Sequence, residues 1–126
     1  MNVRRNAYWR SRKGVHFETM ACEWLTQRGL VLLHSNFRCR CGEIDLIMRD
    51  GAMLVFVEVR YRASRSHGGA VATVTAAKQH RLRNTAGYFL LCHPEYRQAP
   101  CRFDIMGIVG NGRTGPEIEW IRGAFA

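Results

Sequence analysis

Residues 42–62 read Gly-Glu-Ile-Asp-Leu-Ile-Met-Arg-Asp-Gly-Ala-Met-Leu-Val-Phe-Val-Glu-Val-Arg-Tyr-Arg, and no other stretch constrains the fold as tightly. Two nearly unbroken apolar runs, Ile44 to Met48 and Met53 to Val59, flank Asp50-Gly51. Asp and Gly tolerate the positive φ of a tight turn, so the two runs predict an antiparallel hairpin. Continuous Ile, Leu, Val, Phe and Met predict strands buried on both faces, which requires covering helices. Each strand nevertheless carries an acid, Asp45 and Glu58, and a core strand holds a carboxylate only where its charge is compensated.

Register sharpens the point. A two- or four-residue loop pairs Met48 with Met53, and counting back sets Asp45 opposite Phe56 and Glu43 opposite Glu58. Side chains alternate along a strand, so Glu43, Asp45, Glu58 and Arg60 then share one face. Asp45 and Glu58 become diagonal neighbours, roughly 7–8 Å apart at the backbone. Two carboxylates that close repel unless a proton, a cation or an arginine lies between them. A divalent ion such as Mg²⁺ suits the place, because hard cations take oxygen ligands. A three-residue loop would break the parity.

The remaining pattern supplies the covering layers. Phe17, Met20, Ala21, Trp24 and Leu25 make one apolar stripe of a helix over 15–28, stopped by Gly29. Glu18 lies beside that stripe. It reads either as a favourable charge near a helix N-terminus or as a third carboxylate leaning toward the hairpin. Leu30 to Leu33 predicts a short strand, and Asn36-Phe37-Arg38 leads into the hairpin. Residues 62–69 are polar, basic and glycine-rich. They suit a loop near phosphates or a plain connector, and His67 alone is weak evidence for a base.

A second helix is predicted from Thr73 or Thr75 to Leu91, ended by His93-Pro94. Its stripe is Val74, Lys78, Leu82, Ala86 and Phe89. Lys78 on that stripe either snorkels at its edge or points at the acidic face of the sheet. Arg81 and Arg83 fall on other faces and suit a phosphate-facing surface. Arg102 to Val109 predicts a strand with Asp104 inside it, Asn111-Gly112 a turn, and Glu117 to Ile121 a last half-exposed strand.

A chain of 126 residues with 47% hydrophobic content makes one domain with a real core. Residues 1–13 carry five cations and no acid and read as a basic flexible arm, leaving 14–126 as the domain. The formal net charge of +9 points to a polyanion, with nucleic acid first. Of the 19 cations only Lys13 and Lys78 are lysines. Five cysteines with no second pair to match Cys39-Arg40-Cys41 argue for free thiols and against a zinc site. No secretory signal and no spanning segment is read, so a soluble, cytoplasmic protein is expected.

Gly42-Glu43-Ile44-Asp45-Leu46-Ile47 followed by Val55-Phe56-Val57-Glu58-Val59-Arg60 resembles the YraN-like family, a bacterial family of predicted endonucleases. The resemblance runs from Gly14 through Glu18 and Ala21, past Lys78-Gln79-His80, to Arg102-Phe103-Asp104 and Glu119-Trp120-Ile121, nearly the whole chain. The family is assigned to the PD-(D/E)XK nuclease superfamily, with a restriction-endonuclease-like fold similar to archaeal Holliday-junction resolvases. The resemblance implies an α/β three-layer core, a mixed central sheet of about five strands flanked by helices. It also implies Asp45 as the metal-binding acid, Glu58 as the acid of the (D/E)XK element, and the Val57 or Val59 carbonyl as a further ligand. Glu18 would be the acid of the first helix. Mg²⁺ (or Mn²⁺) and a lysine would activate water for attack on a phosphodiester.

The motif's lysine position holds Arg60. An arginine stays protonated, so it stabilises charge on phosphate and does not take a proton. Lys78 is the expected substitute for part of the lysine's role. The leading expectation is a metal-dependent endonuclease acting on DNA, including branched or single-stranded DNA in repair or recombination. Arg62, Arg65, Arg81 and Arg83 are the expected phosphate contacts. A non-catalytic nucleic-acid-binding module, accessory to recombination or repair proteins, is the alternative. A third reading is a structural domain in which Asp45, Glu58 and Arg60 form a buried ion network.

Overall fold

A computed structural model describes residues 12–63, 69–110 and 115–126. Helix α1 (Arg12–Gln27) is followed by strands β1 (Val31–Cys39), β2 (Gly42–Asp50) and β3 (Met53–Arg62). A 3-10 turn (Val71–Thr73) leads into helix α2 (Ala76–Cys92), and a second (Pro94–Tyr96) precedes β4 (Cys101–Val109) and β5 (Glu117–Phe125). The arm expected over 1–13 lies outside the described residues as far as residue 11, and α1 already holds Arg12. Arg65, His67 and the Asn111-Gly112 turn also lie outside them.

The sheet order is β1-β2-β3-β4-β5. All pairs are antiparallel except β3 with β4, which run parallel. A parallel pair needs a long crossover, and α2 supplies it. Ala21 and Leu25 of α1 pack on Leu46, Met48, Val55, Val57, Met106 and Ile108. On the other face, Leu82, Ala86 and Phe89 of α2 pack on Ile44, Ile47, Leu54, Phe56 and Ile105. The result is the expected α/β three-layer architecture, consistent with a restriction-endonuclease-like core.

Local chemistry sets the helix ends. Gly29, at φ +97°, closes α1. Its N–H donates to Thr26 O while the N–H of Leu30 reaches back to Leu25 O, the paired bonds of a left-handed helix stop. Thr75 caps α2 by accepting from the N–H of Lys78 at 3.2 Å.

The expected pairing of Met48 with Met53 is corrected. Met48 pairs with Val55, and the ladder continues to Asp50↔Met53 around a two-residue turn, Gly51-Ala52. The strands therefore zip two residues further, which preserves the parity of each face. Continuing this register sets Asp45 opposite Glu58 rather than Phe56, just beyond Leu46↔Val57, the last pair at that end. Glu43 does not stand opposite Glu58. It pairs with Arg38 of β1, whose Nε donates to Glu43 Oε2 at 3.1 Å. Ile44 and Ile47 both pack on the α2 side, so strict alternation breaks between them, at Asp45 and Leu46. The strand expected at Leu30 to Leu33 extends to Cys39, and the last strand extends to Phe125.

Candidate active site

The described site forms where β2 and β3 part. Asp45 stands at the open end of their ladder, and its Oδ2 accepts from the N–H of Val59 at 2.8 Å. Glu58, one residue before Val59, is only 5% exposed. Its Oε2 accepts from Arg60 Nη1 at 3.2 Å, and Lys78 Nζ lies 3.5 Å from the same oxygen. Glu58 and Arg60 alternate onto the face that α2 covers, which is how β3 and α2 bring Glu58 to Lys78.

The electrostatics follow from this crowding. Burial pushes the Glu58 carboxyl up to about 7, and the Asp45 charge adds to the shift. Lys78 and Arg60 oppose it without cancelling it. Desolvation of Glu58 is thus the larger cause, and the two cations beside it do not overcome it.

Arg60 is held on two further sides. Its Nε donates to Thr73 Oγ1 and its Nη2 to Thr73 O, each at 3.0 Å. Thr73 Oγ1 in turn donates to Ala70 O. Lys78 occupies the first turn of α2, where a cation opposes the helix dipole. Its place there is explained by Glu58.

The other expected residues are placed as follows. Glu18 is half-buried on α1 and lines a cavity of about 210 Å³ with Thr19, Cys22, Ser35, Asn36 and Leu46. It does not join Asp45 and Glu58 in one tight cluster: among the described residues no three His, Cys, Asp or Glu side chains gather closely enough to hold a metal. Arg62 is half-buried at the end of β3, while Arg81 and Arg83 are exposed on α2. Arg83 Nη1 donates to Ala126 O at 3.1 Å. Asp104 is a structural carboxylate, 1% exposed. It accepts from Arg102 Nε, Trp120 Nε1 and the N–H of Gly123.

Asp45 and Glu58 fit a small hard cation. Mg²⁺ is commonly bound through one or two carboxylates, with waters and substrate phosphates completing its octahedron, so a third side-chain acid is not required. The raised pKa of Glu58 marks a place where added positive charge is stabilising. Val59, whose carbonyl is an expected ligand, lies at the same point of β3 and already gives its N–H to Asp45.

Two contributors were not visible in the sequence. Thr73 anchors Arg60, and only the packing of the 3-10 turn on β3 reveals it. Asn36 has a buried Oδ1 with no hydrogen-bond partner. It reads as a plain connector residue, and its backbone, at φ +56°, gives no sequence signal beyond the tolerance of Asn for that region.

Comparison with known proteins agrees along the length of the chain. The sequence model of "Uncharacterised protein family UPF0102" matches residues 17–108, a span that contains Glu18, Asp45, Glu58, Arg60 and Lys78. A UPF0102 protein of Alcanivorax borkumensis is 48% identical over 118 residues, 92% of this chain and 94% of that protein. One from Nitrosomonas europaea is 53% identical over 113 residues, covering 90% and 92%. The UPF0102 protein YraN of Salmonella arizonae is 49% identical over 113 residues, covering 89% and 82%. Among the described residues no helix is long and apolar enough to cross a membrane.

Proposed function

This chain belongs to the uncharacterised protein family UPF0102, and we propose that it is a divalent-cation-dependent endonuclease hydrolysing DNA phosphodiester bonds. One observation carries the reading. A buried carboxyl, Glu58, with the half-buried Asp45 beside it, stands at the open end of a strand ladder with Lys78 and Arg60 on Glu58. Burial keeps the Glu58 carboxyl from ionising fully even with Lys78 and Arg60 beside it, so a divalent ion that replaces its lost hydration would be stabilising there.

The geometry supports the following roles. When bound, Mg²⁺ or Mn²⁺ would lower the pKa of water and offset charge on phosphorus. Asp45 and Glu58 would hold the ion from adjacent strands, with the Val59 carbonyl beside them and Glu18 assisting from α1. Glu58 must be deprotonated to do so. Lys78 takes the place of the motif's lysine as the mobile cation next to Glu58. Arg60, fixed by Thr73, faces the phosphate as a permanent charge. Arg62, Arg65, Arg81 and Arg83 contact backbone phosphates, and the net charge of +9 supports a polyanionic partner. Branched or single-stranded DNA, a cytoplasmic location and association with repair or recombination proteins belong to the same proposal.

Arg60 favours a second reading, a DNA-binding accessory module that does not cut. Its guanidinium is already engaged by Thr73 and Glu58, where the motif has a lysine. Incubation of labelled DNA with the wild type and Glu58→Gln separates the two. The nuclease reading predicts Mg²⁺-dependent cutting that Glu58→Gln loses. Salt-dependent binding with no cutting by either protein favours the accessory module.

A further inference from the structure

Asn36 breaks two rules at one position. It is the only non-glycine residue with positive φ among the described residues. Such a conformation costs of order 1 kcal/mol and persists where the surroundings fix it. Its Oδ1 is also buried without a hydrogen-bond partner, which costs about 1–3 kcal/mol for a neutral acceptor. A residue that carries both penalties is expected at a functional position, and an orphaned acceptor asks for a missing donor or cation.

Its position says which. Ser35 pairs with Leu46 and Phe37 with Ile44, so Asn36 and Asp45 are the two residues enclosed between these pairs, on neighbouring strands. Asn36 also shares the wall of the α1 cavity with Glu18. It therefore borders the cavity that holds the acid of α1 and lies next in register to the acid of β2, with an oxygen that has no hydrogen-bond partner in the described protein. An amide oxygen is a hard, neutral donor of the kind that joins carboxylates around a divalent ion.

Resting on the nuclease reading above, we propose that Asn36 supplies Oδ1 to the coordination shell of the cation held by Asp45 and Glu58. It would complete the shell from the β1 side without adding a further negative charge to a crowded site. The positive φ presents that oxygen, which explains why a strained backbone is kept at this point of β1.

Mn²⁺ binding to the full chain, measured by calorimetry and by the cation-induced rise in Tm, tests this without any need for cleavage. Asn36→Gly keeps the backbone conformation and removes the oxygen. It should weaken Mn²⁺ by about tenfold or more, as loss of a supporting group at a metal site does. The metal-free protein should melt no lower than wild type, because an orphaned acceptor has been removed. Asn36→Asp, which tolerates the same φ, should lower the metal-free Tm and bind Mn²⁺ more tightly. Asp45→Asn serves as the control for the site. Wild-type Mn²⁺ affinity in Asn36→Gly, with binding lost in Asp45→Asn, overturns the role of Asn36 and leaves the nuclease reading standing. Absence of Mn²⁺ binding by the wild type, or wild-type binding by Asp45→Asn, overturns the nuclease reading and this inference with it.

Discussion

Lys78 Nζ lies 3.5 Å from Glu58 Oε2, so the first turn of α2 delivers a cation to a carboxyl buried in the middle of the sheet. The helix stem fixes this reach, and an arginine at the same position spans a similar distance. Lys78→Ala should lower DNA cleavage by at least about tenfold while leaving the fold intact, since alanine is a good helix former. Lys78→Arg should recover most of the loss, which would identify the role as positive charge. Failure of Lys78→Arg to recover any of it would instead assign a proton-transfer role to the amine.

The Glu58 carboxyl gives the protein a pH-dependent stability. Its value in the fold, about 7, is above the ordinary 4.5, because burial and Asp45 disfavour the anion. The folded state therefore holds the proton more tightly than the unfolded chain. The stabilisation is complete below about 4.5 and is lost as pH rises through about 7, a total of about 3 kcal/mol. Melting curves across this window should show the contribution of Glu58 declining with pH, and Glu58→Gln should remove that component. Added Mn²⁺ should offset the decline at high pH and release protons when it binds near neutrality.

Thr73 controls Arg60 through two hydrogen bonds, to Oγ1 and to the main-chain carbonyl. Thr73→Val removes the first and leaves Arg60 Nε without its acceptor. A loss of about 1–2 kcal/mol of stability is expected, together with reduced cleavage. Thr73→Ser should retain both properties. Equal cleavage by Thr73→Val and wild type would show that the orientation of Arg60 does not matter to the chemistry.

Asp104 separates structure from site. Asp104→Asn weakens acceptance from Arg102, Trp120 and Gly123 and leaves Asp50 as the remaining counter-charge of Arg102. Loss of a charged acceptor to buried donors costs about 1–3 kcal/mol. The Tm should fall, and the Mn²⁺-induced rise in Tm should remain. Loss of the Mn²⁺ response in a still-folded Asp104→Asn protein would contradict the structural assignment.

The hairpin, both helices and the sheet were legible because their apolar periods are strong and their stops are glycine or proline. Asp45 and Glu58 were legible because acids in apolar strands are conspicuous. Their relation was read through the wrong pairing. The Asp50-Gly51 signal located the turn, but nothing local says how far the strands zip, and a shift by two residues leaves every face unchanged. Glu43 was misplaced because the break in alternation at Asp45 depends on how Ile44 and Ile47 both reach α2. The anchoring of Arg60 by Thr73 and the unpartnered oxygen of Asn36 arise from contacts between distant segments, which periodicity does not encode.

The central claim is tested most directly by cleavage of labelled duplex, single-stranded, flap and four-way-junction DNA in Mg²⁺, Mn²⁺ or EDTA, with Asp45→Ala in parallel. The account predicts metal-dependent cutting of at least one substrate by the wild type and none in EDTA. It predicts none by Asp45→Ala, which should bind DNA as well as wild type or better because a negative charge is gone. Cutting by Asp45→Ala at the wild-type rate would contradict the account.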